Sequence, residues 1–416
     1  MTDGRVLFNE PRLARALEHT DVDAVVAASP ANVAYLADYE CLMHPLVASL
    51  PALVVFPSGN EPNPVLITPS IGVDEWAERR PWFDEIRLYG PPNRELGREL
   101  LADPAGLSSE DRAILEEGLE KEHPAELVEV FAEALRDRGL DHSRIAIDQN
   151  PLTEALREQI AASVPGCEFA DGSELFGWVR MIKTQPEIAA LADAARIACE
   201  ALDETRDVAA AGATEQDLWR AYCAAIARRG AEFTFMTVGA GARSAHVHPT
   251  ASDYVLEEGD VVKYDVGLRV CRYHADTART QAIGKVSKER ELAFEAVRLG
   301  QRAAVEAVAP GVHPAEIFHT AVEAVREHGI PDYRRHHVGH GIGVELYDPP
   351  SVGPGDVQHG FAGQTDDRLE VGMVLNIETP YYGLGECGLQ MEDTVVVTDD
   401  GHRVLTPASR SLVWEG

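Results

Sequence analysis

The chain has 416 residues, 45% of them hydrophobic, and a formal net charge of −32. That length exceeds one ordinary core and implies two domains, and the composition is that of a compact globule rather than a disordered chain. So acidic a molecule excludes nucleic acid as a partner and an anionic membrane as a docking surface, because like charges repel.

Five lysines stand against 32 arginines, a bias that fits a GC-rich genome or a salty cytoplasm and speaks to solubility rather than fold. The six cysteines (Cys41, Cys167, Cys199, Cys223, Cys271, Cys387) form no CxxC pair, which predicts free thiols in a reducing cytosol. The opening residues MTDGRVLFNEPRLARAL lack the basic start and apolar run of a signal peptide. No apolar stretch reaches the roughly 20 residues needed to span a bilayer. A soluble, cytoplasmic protein is expected.

Along the chain, helix-like and strand-like runs first alternate. Pro11–Glu18 predicts a helix, Asp23–Ala28 a short apolar strand, and Pro30–Ala37 a helical turn opened by proline. Pro51–Phe56, Pro64–Thr68 and Glu85–Tyr89 read as strands bounded by Pro, Gly and Asn. Asp111–Arg138 is acidic and amphipathic with helical spacing; Arg144–Ile147 is a strand and Leu152–Ala162 a helix. This is an α/β domain over residues 1–172, its boundary placed near Gly172. Ser173–Ile182 then leads into a long helix, Gln185–Ala210, with proline near its start. Beyond Gly212 the texture becomes α+β: helices over Glu215–Arg229, Lys288–Ala309 and Pro314–His328 separate strand-rich stretches, giving a second domain over 173–416.

The last third carries the chemistry. Asp265 and Asp276 flank a turn-like stretch, Gly267–Tyr273, and two strands paired across it would aim both carboxylates at one point. The apolar run MVLNI ends at Glu378, and TVVVT follows Glu392. A carboxylate at the end of a buried strand is costly unless it is paired or binds a metal, and no lysine or arginine lies within three residues of Glu378. His340 sits in GHGIG, where the glycines allow close backbone approach and a sharp turn. Four carboxylates and an imidazole are what two divalent cations need. Oxygen with nitrogen ligation and no nearby thiolate suits Mn²⁺, Fe²⁺, Co²⁺ or Zn²⁺, and argues against a structural zinc site. Such a pair generates a nucleophilic water and polarises a carbonyl, which implies hydrolysis of an amide or related C–N bond.

The order Asp, Asp, His, Glu, Glu, within DxG, ADxxRT, GHGIG, NIETP and MEDTVVVT, resembles the pita-bread metallopeptidases. These include methionine aminopeptidases, Xaa-Pro aminopeptidases, prolidases and non-peptidase relatives such as creatinase. The resemblance covers roughly residues 175–405. RLARALEHTDVDAVVAASPANVAYLADY is similar to the creatinase-like leading domain of prolidases, which methionine aminopeptidases lack, and MIKTQPEIAALADAARIA to the helix that opens the catalytic domain. The implied fold is thus a creatinase-like α/β N-terminal domain followed by an α+β pita-bread catalytic domain.

The implied activity is a dinuclear-metal hydrolase of the Xaa-Pro dipeptidase or aminopeptidase type, with Mn²⁺ preferred and a homodimer as the assembly. The resemblance makes Asp265 a chelator of one ion, Asp276 and Glu392 bridges, and His340 with Glu378 the completion of the other; Glu378 also takes the proton of the nucleophilic water. It makes His248 a substrate-facing histidine and His336 one that steadies the tetrahedral intermediate. His246, expected on the same side of a strand as His248, and His274 are supporting candidates.

Two departures concern the substrate. Tyr347 stands where peptidases of this kind have a histidine, and Gln390 where prolidases have an arginine that in some members holds the substrate carboxylate. Tyrosine donates a hydrogen bond but does not shuttle protons near neutrality, and glutamine carries no charge. These departures favour the alternative, a hydrolase of a small non-peptide C–N bond like that of creatine or ectoine, or more distantly a lyase. The Gly- and Pro-rich stretch Pro349–Arg368 is long enough to border a pocket, with His359 or Phe361 reaching inward.

Overall fold

The computed structural model describes residues 8–47, 49–59, 63–92, 94–95, 97, 106–355, 368–407 and 410–413. The chain forms two compact units, Met1–Val179 and Arg180–Gly416. Among the described residues no helix is long and apolar enough to cross a membrane.

The first unit is a six-stranded mixed sheet. Its elements are α1 (Glu10–Thr20), β1 (Ala24–Ala27), α2 (Pro30–Ala37), β2 (Leu53–Pro57), β3 (Val65–Pro69), α3 (Val73–Glu78), β4 (Ile86–Tyr89), α4 (Ser109–Gly118), α5 (Leu127–Asp137), β5 (Arg144–Ile147), α6 (Glu154–Ser163) and β6 (Glu168–Asp171). The strand order is β4-β3-β2-β1-β5-β6. Local chemistry sets the helix starts: the side chains of Asn9, Ser29, Ser108 and Thr153 each accept a hydrogen bond from a backbone N–H of the first turn. The single helix expected over Asp111–Arg138 is two, α4 and α5, because Pro124 lies between them and cannot continue a helical ladder.

The second unit is an antiparallel sheet backed by helices. After α7 (Ser173–Met181) come α8 (Gln185–Val208), α9 (Glu215–Arg228), β7 (Glu232–Ala240), β8 (Val261–Val270), β9 (Tyr273–Ala282), α10 (Lys288–Glu306) and α11 (Pro314–Glu327). Then follow β10 (Gly339–Gly341), β11 (Asp348–Ser351), β12 (Val374–Glu378), β13 (Tyr381–Gly383), β14 (Cys387–Leu389), β15 (Glu392–Thr398) and β16 (Gly401–Val404). The sheet runs β11-β10-β12-β15-β9-β8-β7, with β16 also on β15. Helix α8 starts at a capping box, in which the Thr184 hydroxyl accepts from Glu187 N and the Glu187 carboxylate accepts from Thr184 N, with Pro186 in the first turn. The β8–β9 hairpin is tighter than expected: only Cys271 and Arg272 turn, both at positive φ (46° and 72°).

Strand alternation gives this sheet two unlike faces. Tyr264 and Val266 of β8 pack with Ala198, Leu202 and Tyr222 of α8 and α9. Leu375 and Ile377 of β12 and Val395 and Val397 of β15 pack with Ala304, Ile317 and Val325 of α10 and α11. The intervening residues, Asp265, Asn376, Glu378, Glu392 and Thr394, therefore point to the other face.

Candidate metal centre

On that other face the backbone register lays the candidate ligands in two neighbouring rows. Asp265 of β8 pairs with Ala278 of β9, Ala278 with Glu392 of β15, and Glu392 with Glu378 of β12. One step along, Asp276 of β9 lies two residues from Ala278, and His340 of β10 pairs with Asn376, two residues before Glu378. Residues two apart in a strand share a face, so all five point the same way. Ala278, small and central in the first row, leaves space between the carboxylates. The glycines around His340 admit the neighbouring backbone: a Cβ on Gly339 would lie 2.2 Å from the Asn376 carbonyl oxygen, and one on Gly341 would lie 2.3 Å from that of Pro349.

Asp276, His340 and Glu392 offer ligand atoms that all lie within 4.8 Å of one another, and all three side chains are buried. His340 Nε2 is 3.7 Å from Asp276 Oδ2. The other ring nitrogen, Nδ1, is 2.9 Å from the Gly341 carbonyl; donating there fixes the tautomer and leaves Nε2 as a lone-pair donor. Asp265 and Glu378 are tied together by Gln390, whose Nε2 donates to Asp265 Oδ2 (3.3 Å) and Glu378 Oε2 (3.2 Å). Asn376 Nδ2 donates to Glu392 Oε1 at 3.2 Å. All five line one cavity of about 510 Å³, together with Thr234, Phe235, Thr237, His248, Leu346, Tyr347 and Gln390.

The electrostatics suit a cation. Burial first, then the neighbouring acids, push Asp265 up to about 6 and Asp276 and Glu392 well above the usual carboxylate range. Glu378 is raised by burial, against the pull of Arg335 and Lys263. Burial pushes His340 down to about 4, so it is neutral, as a ligand must be. Asp276 Oδ1 is buried without a hydrogen-bond partner. A cluster of acids that repel one another, one oxygen unsatisfied and a lone-pair nitrogen beside them fits divalent ions with oxygen-rich coordination.

Family models match both units. The creatinase/prolidase N-terminal domain matches residues 11–182, and metallopeptidase family M24 matches residues 189–399. The chain belongs to metallopeptidase family M24. It is a metal-dependent hydrolase of that family, carrying a creatinase-type leading domain ahead of a pita-bread domain. This M24 metallopeptidase is 27% identical to an Xaa-Pro dipeptidase of Lactobacillus helveticus over 411 residues, covering 97% of this chain and 98% of the relative. It is 32% identical to an Xaa-Pro dipeptidase of Pyrococcus furiosus over 248 residues, 59% of this chain and 69% of the relative. Among solved structures, an Xaa-Pro dipeptidase from Bacillus anthracis has the same fold (TM-score 0.76, 23% identity, 97% of this chain and 98% of that one). So does a prolidase from Pyrococcus horikoshii OT3 (TM-score 0.75, 23% identity, 97% and 100%).

Not every residue singled out in the sequence reaches the M24 cavity. His248 lines it, but on an irregular segment after a 3-10 turn (Gly241–Ala245), not on the strand expected for His246 and His248. His246 is exposed, and its carbonyl accepts from Lys263 Nζ. His274 is pushed down to about 4, chiefly by burial, and its Nδ1 lies 3.5 Å from the Thr234 hydroxyl. His336 is exposed and off the cavity wall; its neighbour His337 instead places Nδ1 3.3 Å from Glu378 Oε1. Tyr347 is 63% exposed, yet it stands on the wall with its ring 4.1 Å from that of His340, and partial burial and the four acids keep its phenol protonated. His359 and Phe361 lie outside the described residues.

Three side chains near the acids, Lys263, Arg335 and Tyr382, were not singled out in the sequence. Arg335 Nη2 is 3.7 Å from Glu378 Oε1, and Lys263 and Arg335 both lie over the Tyr382 ring. Glu378 has no cation near it in sequence, but it has these two in space.

Proposed function

We propose that this M24 metallopeptidase is an Xaa-Pro dipeptidase or aminopeptidase that binds two divalent ions and hydrolyses the amide bond before proline in a short peptide. The observation that carries the reading is the two-row register that turns Asp265, Asp276, His340, Glu378 and Glu392 onto one cavity floor. The names of the relatives favour a peptide substrate over a smaller one.

Asp265, Asp276, His340, Glu378 and Glu392 would hold the ions, which would supply a water of lowered pKa and polarisation of the amide oxygen. Glu378, held through Oε2 by Gln390, takes the proton of the attacking water. His248 donates to the oxygen that becomes anionic, and Tyr347 offers a second hydrogen bond from a phenol that stays protonated. His337, with Nδ1 3.3 Å from Glu378 Oε1, takes the role of steadying the tetrahedral intermediate that the resemblance implies for His336. Mn²⁺ is the preferred ion, with Co²⁺, Fe²⁺ or Zn²⁺ as alternatives, because four of the five donors are carboxylates. The six cysteines are free, in keeping with a reducing, cytoplasmic setting. The resemblance of the leading domain supports a homodimer, which sedimentation would reveal.

The test is hydrolysis of Ala-Pro and Gly-Pro. Chelation should abolish it and added Mn²⁺ restore it, with metal content measured in parallel. A protein that holds two ions, leaves Xaa-Pro peptides intact and opens cyclic or guanidino compounds belongs to the second reading, which Tyr347 and Gln390 favour.

A further inference from the structure

His248 stands on the cavity wall, yet its own segment has no regular structure to hold it there. Residues 246–254 belong to neither helix nor strand, and His246, Val247 and His248 are exposed. What fixes the segment lies beneath it. Glu215, the first residue of α9, is fully buried, and both its carboxylate oxygens are occupied. Oε1 accepts from Ala240 N at 2.9 Å, at the end of β7, and from Arg243 Nε at 3.0 Å. Oε2 accepts from Ser252 N at 3.0 Å and from the Ser252 hydroxyl at 2.6 Å. One side chain thus closes the two ends of the stretch that carries His248.

The bonds continue inward from both ends. Arg243, held by Glu215, donates from Nη2 to the Thr250 carbonyl at 2.8 Å, two residues after His248. Lys263 Nζ donates to the carbonyls of His246 (2.7 Å) and Val247 (3.1 Å), the two residues before it. The Ser244 hydroxyl accepts from Gly388 N of β14 at 2.8 Å. A carboxylate offers acceptors only, at about four lone-pair sites, and here both oxygens meet nothing but donors. An amide in its place would turn an NH₂ against the N–H of Ala240 or of Ser252, whichever way it faced. The start of α9 does not need this network, since Thr214 and Asp217 already close it with a capping box. The bonds of Glu215 are spent on the segment instead.

We infer that Glu215 is a positioning residue for His248: it ties Ala240, Arg243 and Ser252 into a frame that keeps the imidazole aimed at the amide oxygen under attack. Glu215 touches no reacting atom and acts only through the segment. The inference rests on the role given to His248 in the Xaa-Pro hydrolase. Such a frame matters because a donor aimed at developing charge works best when it need not reorganise during the reaction.

The test is a double-mutant cycle on the metal-loaded protein, read by Ala-Pro turnover. His248→Ala should lower kcat on the order of 10²–10³-fold, the range for a lost oxyanion donor. Glu215→Gln should lower kcat by roughly 10–100-fold, as a misplaced group does, with KM and metal content close to wild type. In the His248→Ala background the same substitution should cost less than about threefold, because the group it positions has gone. Hydrogen exchange gives a readout without turnover. In Glu215→Gln the amides of residues 240–252 should exchange faster, while those of β9 and β15 keep wild-type protection. Should Glu215→Gln fail to fold, Ser252→Ala decides: it removes a single donor and should show a smaller loss of kcat with the same dependence on His248. Losses that multiply, so that Glu215→Gln costs as much without His248 as with it, reduce Glu215 to a structural role and overturn the inference. So does unchanged exchange over residues 240–252, or a loss of bound metal in step with kcat. Absence of Ala-Pro turnover in wild type counts against the peptidase reading alone, and exchange then decides whether the frame stands.

Discussion

Glu392 and Asp393 are neighbours on one strand, both buried, and their surroundings could hardly differ more. Asp393 points to the helix-backed face, where Oδ1 meets Arg279 Nη2 at 2.6 Å with both side chains fully buried, Arg410 lies 2.5 Å from Oδ2, and Gln301 donates to Oδ2 at 3.0 Å. Glu392 points to the cavity, among Asp276, Glu378 and Asp265, where its carboxylate accepts from the neutral Asn376 amide. One face neutralises its carboxylate with arginine; the other gathers carboxylates and supplies too little positive charge. A buried acid therefore reads as structural or functional according to the company its strand register gives it. It also gives the motif residues Arg279 and Asp393 a role: they lock β9 to β15 behind the floor, while Asp276 and Glu392 face the cavity in front of it.

The sharpest way to break this comparison is to neutralise each neighbour in turn. Glu392→Gln should lower kcat/KM by at least about 10³-fold, roughly 4 kcal/mol of transition-state stabilisation, and lose metal measured by elemental analysis. It should not lower the melting temperature of the chelated protein, because one member of a repelling cluster has gone. Asp393→Asn should do the reverse. Breaking a buried pair leaves Arg279 uncompensated and costs about 3–5 kcal/mol of stability whether or not metal is present. If both variants lost stability equally without metal, the division of the sheet into two electrostatic faces would be wrong.

The acids on the cavity face also set a pH dependence. Asp265 is held up to about 6, and Asp276 and Glu392 well above the usual carboxylate range, so the folded apo protein binds protons more tightly than the unfolded chain. Stability from such groups is full below the unfolded carboxylate range and falls as pH rises through the folded values. The chelated enzyme should therefore melt lower at pH 8 than at pH 5, while the Mn²⁺-loaded enzyme, whose carboxylates are already ionised on the metal, loses much less over the same interval. Parallel melting curves for the two forms would contradict the placement of the ions on these acids.

The cavity face was also the more legible of the two in the sequence. Three of its five donors fall at strand ends or between glycines and leave a short-range mark, such as an apolar run stopping at Glu378 or a Gly-His-Gly around His340; Asp265 and Asp276 lie mid-strand on either side of a hairpin turn. Period-two alternation does the rest. Lys263 could have been placed by that same rule, since it is two residues from Asp265. Arg335 and His337 could not, because Arg334-Arg335-His336-His337 lies on an irregular stretch without a period to say which of the four turns inward. The strand order β4-β3-β2-β1-β5-β6 was illegible for a related reason: local patterns specify that a strand exists, and pairing between distant strands depends on packing.

Glu187 sharpens the comparison by removing the cluster of acids. It is 1% exposed, accepts from Thr184 N at 2.7 Å as the third residue of α8, and lies 3.3 Å from the Tyr273 hydroxyl. Burial pushes it up to about 7, against the pull of the Thr184 hydrogen bond and the Lys183 charge. Its folded value exceeds the unfolded one, so its contribution is complete below about pH 4.5 and declines as pH rises toward 7, by about 3 kcal/mol in all. Glu187→Gln keeps an oxygen for the cap and removes the titration. The variant should therefore match wild type near pH 4.5 and melt higher at pH 8, by roughly 6–12 °C at about 2–4 °C per kcal/mol. Since every other group is common to both proteins, the difference between their melting temperatures isolates this one carboxyl. A gap independent of pH would mean that hydrogen bonds alone suffice to keep a buried carboxylate ionised, and the cavity acids would then no longer need a metal to account for them.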